Sequence, residues 1–156
     1  MGFRGKEVSI MINRFEGEYF FLSNFYPAEL TIGDITYHSS EAAYQSMKTD
    51  DDIIRRRFAS YTAAEAKRIG RSIPLREDWE EIKFDVMKMV VSAKFDQHPE
   101  LAQMLIDTGN ETLIEGNWWH DNIYGNCSCE KCIIIEGQNM LGKILMEERE
   151  RQTAKG

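Results

Sequence analysis

The chain has 156 residues, 42% hydrophobic and 29% charged, a size and balance that suit one soluble domain able to bury a core without disulfides. Its net charge of −7 and pI of about 5.0 work against extended binding along a nucleic-acid backbone, while leaving room for a local basic pocket around one nucleotide. Apolar runs such as Ile133-Ile134-Ile135 are too short to span a bilayer, and no signal peptide is expected.

Taken in chain order, MGFRGK carries Lys6 where an N-myristoylation start wants Ser or Thr, so lipidation is not expected. Tyr19 to Leu22 reads as a short aromatic strand before the irregular SNFYP. AELTIGDITYHS reads as a hairpin with Leu30, Ile32, Ile35 and Tyr37 at its apolar positions. Gly33-Asp34 is the Gly-X pair of a two-residue type II′ turn. Ser39 or Ser40 predicts the cap of a helix from Glu41 to about Thr49. Asp50-Asp51-Asp52 followed by Arg55-Arg56-Arg57 reads as a solvated helix surface. Thr62-Ala63-Ala64-Glu65 is a capping box for a short helix that stops at Gly70.

From Asp78 to Phe95, the spacing of Trp79, Ile82, Val86, Met89/Val90 and Ala93 predicts a long helix. His98-Pro99 opens another that Gly109 ends. ETLIEG and CIIIEG are short apolar runs of strand type. Met140 to about Arg151 reads as a last helix with Leu141, Ile144 and Leu145 inward. The sum is a helix-rich α+β domain with a small sheet or hairpin, its core spanning about 15–151.

No phosphate-binding GxxxxGK[ST] loop, GxGxxG, HExxH or GxSxG occurs, so candidate chemistry rests on polar residues at element ends. Glu41, Gln45 and Lys48 share one helical stripe, which spacing alone assigns to solvent; a carboxylate in that first turn would also be stabilised as an anion. Trp79 reads first as core. Trp118 and Trp119, crowded with His120 and Asp121, read first as a roof over the core, with a platform for a planar base or sugar as the sharper alternative. Gly137 and Gly142 around Asn139 allow close backbone approach, or simply pack.

All three cysteines, Cys127, Cys129 and Cys132, fall in CSCEKC, which points to a reducing cytoplasm rather than a disulfide framework. With His120 they make an allowed zinc ligand set, but no second ligand pair lies in a separate segment. Free thiols in a loop are therefore the favoured reading.

Six blocks stand in one order: FLSNFYP, YHSSEAAYQSMK, AKRIGRSIPLREDW, IKFDVMKMVVSAKF, TLIEGNWWHDNIYG and EGQNMLGKILMEER. From about Phe20 to Arg149 the chain thereby resembles the YbiA-like or NADAR family. The resemblance implies an N-glycosidase that hydrolyses a ribosyl C–N bond without cofactor or metal. The substrate would be ADP-ribosylated guanine or a ribosylamino-pyrimidine intermediate of riboflavin synthesis. It implies catalytic positions at Glu41, Asp121 and Trp79. Asn24, Phe25, Tyr44, Lys48, Arg71, Lys94, Trp119, Tyr124, Gly125 and Asn139 are expected to bind substrate, the cations by holding phosphate. Tyr124-Gly125 stands where the family usually shows Trp-Gly, which bears on base preference.

Expected partners are thus a small ribosyl or ADP-ribosyl molecule or a single modified nucleotide, with no membrane. Reversal of a toxin's modification would add a toxin–antitoxin association. An ADP-ribose-binding module without turnover is the alternative from another class.

Overall fold

The computed structural model describes residues 11–156; the MGFRGK start lies outside the described residues. The fold is α+β and rich in helix, and its residues gather into two compact units. One is Ser23–Ala102, and the other joins the segment ending at Leu22 to Gln103–Gly156.

In the Ser23–Ala102 unit, β2 (Leu30–Ile32) and β3 (Ile35–Tyr37) form an antiparallel hairpin with Ile32 opposite Ile35. Gly33 alone takes a positive φ, +65°, as a type II′ turn requires. Helix α1 (Ser40–Ser46) is capped by Ser39, whose hydroxyl accepts from the Ala42 N–H at 3.1 Å. It ends at Ser46, before the expected Thr49, and all seven of its residues are buried. Helices α3 (Ala63–Gly70) and α4 (Trp79–Gln97) pack against it. The capping box of α3 forms as its sequence predicts, Glu65 N–H to Thr62 Oγ1 and Thr62 N–H to Glu65 Oε1. Between α1 and α3 runs α2 (Asp52–Arg57), none of it buried, where Arg56 pairs with Asp52 and Asp34 as a solvated surface should.

The core joins Leu30, Tyr37, Ala42, Ala43, Phe58, Ala66 and Val90. Along α4 the buried set is Trp79, Met87, Val90, Val91, Lys94 and Phe95, whereas Met89 is exposed. Of the predicted positions Trp79 and Val90 are buried and Val86 and Ala93 pack against the core, and burial extends beyond them to Met87, Val91, Lys94 and Phe95. The helix meets neighbours on more than one side, so burial spreads beyond a single 3.6-residue stripe.

In the other unit, β1 (Met11–Ile12) runs parallel to β4 (Thr112–Leu113). β5 (Gly116–Asn117) runs parallel to β6 (Asn126–Cys127). Helix α6 (Met140–Lys155) packs on β4 and buries Leu141, Ile144 and Leu145 as its periodicity predicts. The division between units falls inside α5 (Pro99–Ile106), beyond which Gly109 takes φ +65°.

Three expectations are corrected here. Gly17–Leu22 is a 3-10 helix, not a strand: Gly17 at φ +60° opens a turn, and the Tyr19 N–H closes onto Glu16 O at 3.0 Å. CIIIEG is not a strand either; Ile133, Ile134 and Ile135 stand exposed in turns, with the Ile135 N–H closed onto Cys132 O at 2.8 Å. Trp118 and Trp119 do not roof the core, being 56% and 44% exposed, stacked edge to face on each other. Among the described residues no helix is long and apolar enough to cross a membrane.

Candidate active site

Glu41 occupies the first turn of α1, only 9% exposed. The segment around Asn24 holds that helix end. The Glu41 N–H donates to Asn24 O at 3.0 Å, and Ser40 Oγ donates to Asn24 Oδ1 at 2.8 Å. Asn24 is itself buried, its amide nitrogen turned to Met87 Sδ. One turn along α1, Gln45 Nε2 donates to Glu41 Oε2 at 2.7 Å. The stripe assigned to solvent by spacing is therefore largely interior, because α1 is enclosed on every side.

Lys48 follows half-buried beyond the end of α1. Burial pushes its ammonium below the ordinary lysine range, the Glu41 carboxylate pulls it back up, and Arg71 and Lys83 push it down further. One carboxylate and three cations thus share a small electrostatic neighbourhood. Arg71, the residue that closes α3, is exposed. Arg76 fixes the Lys48 segment by donating its N–H to Lys48 O at 2.8 Å, and its guanidinium pairs with Asp78 and Asp50. Tyr44 and Trp79 meet edge to face, 5.3 Å between ring centroids, as a buried aromatic wall beside this stripe.

Lys94 is placed differently from the other lysines. It is buried, its Nζ donates to Ser23 O at 3.1 Å, and it lies 5.6 Å from the Tyr26 ring centroid. Burial lowers its ammonium to about 7. It fastens the loop that carries Asn24 and Phe25. Phe25 is exposed, with the Lys67 ammonium 5.7 Å from its ring centroid.

The remaining candidates lie in the other unit. Asp121 Oδ1 accepts from the Ile123 and Tyr124 N–H groups at 3.0 and 2.9 Å, an Asx turn that sets its own loop. Asn117, 1% exposed, holds that turn from beneath: its Oδ1 accepts from the Asp121 and Trp119 N–H groups, and its Nδ2 donates to Asp121 O. The carbonyls of Ile123 and Tyr124 then accept from the Met140 and Leu141 N–H groups, so the loop caps the start of α6. Asn139, at φ +50°, spends its side chain on Glu115 N–H and Leu113 O, both 2.9 Å away. Gly125 and Gly142 are buried where a Cβ would strike backbone oxygens of Glu115 and Leu113, so close packing explains both. The same fold brings His120 and the three cysteines together.

Sequence reading missed Lys83 and Asn117, and it took Gly70 only as a helix stop, whereas Gly70 lies inside α3 against Gln45. Lys83 could have been found one turn after Trp79 on α4. Asn117 and Gly70 left no such signal. Their roles depend on who presses against them, Gly70 on the Gln45 side chain and Asn117 on a turn two to four residues away.

Comparison with known proteins places these residues in a family context. The NADAR domain family matches residues 12–152. The chain is 36% identical over 137 residues to a riboflavin biosynthesis protein of Vibrio vulnificus, covering 83% of this chain but 35% of that protein's length. It is 34% identical over 141 residues to the N-glycosidase YbiA of Escherichia coli, covering 86% and 82% of the two chains. An N-glycosidase of Nostoc punctiforme is 37% identical over 134 residues, 82% of each. The NMR structure of the Escherichia coli protein YbiA superimposes with a TM-score of 0.78 at 29% identity, covering 99% of this chain and 95% of that one.

Proposed function

The chain belongs to the NADAR family, and on that premise we propose that it is an N-glycosidase hydrolysing the bond between a phosphorylated ribosyl group and a nitrogen base. The observation that carries the reading is the Glu41 carboxylate, buried at a helix start and oriented by Gln45, with Lys48 in its field and Arg71 and Lys83 acting in turn on Lys48.

As the C–N bond lengthens, positive charge develops at the anomeric carbon and ring oxygen. The Glu41 carboxylate stabilises that charge and takes a proton from the attacking water; the water oxygen bonds to the anomeric carbon as the nitrogen leaves with the bonding pair and takes up a proton from solvent. The cations hold the phosphate, which fixes the sugar at the carboxylate. Lys94 acts by positioning the Asn24 loop. Trp79 and Tyr44 shape the wall.

One relative is a riboflavin biosynthesis protein, which supports a ribosylamino-pyrimidine phosphate as one candidate substrate. Three clustered cations equally suit the pyrophosphate of ADP-ribosylated guanine, and the experiment carries both as arms. Each substrate is incubated with wild type and with Glu41→Gln, and the released base is separated by chromatography. Wild type is expected to release base from at least one substrate. The variant is expected to lose about 100-fold or more in rate, the scale for removing a preorganised charge stabiliser. Equal rates for the two proteins would sink the assignment of Glu41, and binding without release from either substrate would favour a recognition module.

A further inference from the structure

We propose that His120, Cys127, Cys129 and Cys132 form a closed zinc site that folds the loop between β5 and α6. The proposal is independent of the glycosidase reading. His120 Nδ1 lies 3.3 Å from Cys129 Sγ, 3.4 Å from Cys132 Sγ and 4.0 Å from Cys127 Sγ, and all four ligand atoms fall within 4.8 Å of one another. With Zn–S about 2.3 Å and Zn–N about 2.0 Å, a tetrahedral centre needs N···S separations of about 3.5 Å and S···S separations of about 3.8 Å. The three N···S separations bracket the first of these values, and 4.8 Å bounds every other pair.

The absence of a second ligand pair in the sequence does not count against the site. β5 and β6 pair in parallel, with Asn117 beside Cys127, so His120 just after β5 comes back beside the cysteines. The chain accepts a left-handed backbone at His120, φ +72°, which a non-glycine residue adopts at a cost of about 1 kcal/mol or more. The backbone also serves the sulfurs. The His120 N–H points to Cys127 Sγ at 3.3 Å and the Cys129 N–H to the same sulfur at 3.5 Å, contacts that suit a metal-bound thiolate. Asn122 Oδ1 accepts from the Cys127 N–H at 2.9 Å and keeps that strand end in register.

The loop has no apolar means of holding itself. From Trp118 to Gln138 the buried residues are Gly125, Cys127 and Cys132, while Ile133, Ile134 and Ile135 are 66%, 90% and 47% exposed. A segment of that length without a core needs a staple, and a metal is one of the few a reduced chain has. Three thiolates and one imidazole in a tetrahedral arrangement select zinc over harder cations. Because protein atoms supply all four ligands, the ion has no open position for substrate; its effect is to fix the loop, including Asp121 next to His120.

The test uses the full chain purified under reductant without chelator. Elemental analysis is expected to find about one equivalent of zinc. The three thiols should resist a thiol reagent until a chelator releases the metal, and then all three should react. Cobalt(II) replacing zinc should give the intense visible bands of a tetrahedral thiolate site. Cys129→Ser and His120→Ala, at the less buried ligands, should each lose most of the bound zinc; triple replacement of the cysteines by Ser supplies the zero. The proposal is overturned if wild type, purified or reconstituted with equimolar zinc, holds no more metal than the triple variant. It is equally overturned if its thiols react freely with zinc present, or if the stoichiometric metal is not zinc.

Discussion

Gln45 joins the catalytic candidate to a glycine on a different helix. Its Nε2 donates to Glu41 Oε2 at 2.7 Å, while its Oε1 is buried against Gly70 and has no hydrogen-bond partner among the described residues. A Cβ at position 70 would overlap that oxygen. The aim of the Glu41 carboxylate therefore depends on a missing methyl group on α3.

Gly70→Ala is expected to displace the Gln45 amide, costing about 1–3 kcal/mol of stability by overpacking and lowering base release. In a Gln45→Ala background the same substitution meets no side-chain amide, and its stability cost should shrink. Denaturant unfolding of the two single variants and the double gives the coupling directly. A cost unchanged between backgrounds would show that Gln45 is not what Gly70 accommodates.

Lys94 should leave a mark on stability against pH. Burial lowers its ammonium to about 7 in the folded chain, against about 10.4 when unfolded. Between those values the unfolded chain binds the extra proton, so stability gained from this group rises with pH; below about 7 both states are protonated and the burial cost is felt in full. Replacing it by Met removes the titration. Urea unfolding at several pH values between neutrality and pH 9.5 should show Lys94→Met most favoured relative to wild type at the low end, with the difference narrowing as pH rises. A constant difference would mean that Lys94 does not change its charge on folding in this range.

Asp121→Asn separates charge from turn geometry. An asparagine oxygen can still accept from the Ile123 and Tyr124 N–H groups that Asp121 Oδ1 now holds, so the loop should keep its stability. Asp121→Ala loses both acceptor and charge and should cost about 1 kcal/mol. We expect Asp121→Asn to lose glycosidase activity while its melting temperature stays near wild type. Activity at the wild-type level in Asp121→Asn, with loss only in Asp121→Ala, would restrict the residue to shaping its loop.

Stripping the proposed zinc should loosen the segment it holds. Amide hydrogen exchange is expected to quicken for the N–H groups of Trp119, Asp121 and Cys127, which now donate to Asn117 and Asn122 side chains, while α1 amides keep their protection. Exchange that is unchanged by chelation would show that the loop stands without metal.

Much of the framework could be read locally. Capping residues at Ser39 and Thr62, the Gly33-Asp34 turn and the long apolar period of α4 each act within a few residues of themselves, and the chain obeys them. Tyr19–Leu22 misled because aromatic content suits a strand, whereas the positive φ of Gly17 and a local hydrogen bond bent the run into a 3-10 turn. The candidate site was proposed only through the ordered blocks of a family, since Glu41, Gln45 and Lys48 taken alone follow the same spacing as any solvated stripe.

By itself the sequence determined where helices start, how the hairpin turns and which family the chain joins, because those follow from backbone preferences and from motifs kept in order. Tertiary structure decided which side of each element meets protein and which meets water. It enclosed α1, turned the tryptophans and isoleucines of the long loop outward, and carried His120 back to three cysteines. Burial and ligand geometry are properties of pairs of segments, and a helical or strand period within one segment carries no record of its partner.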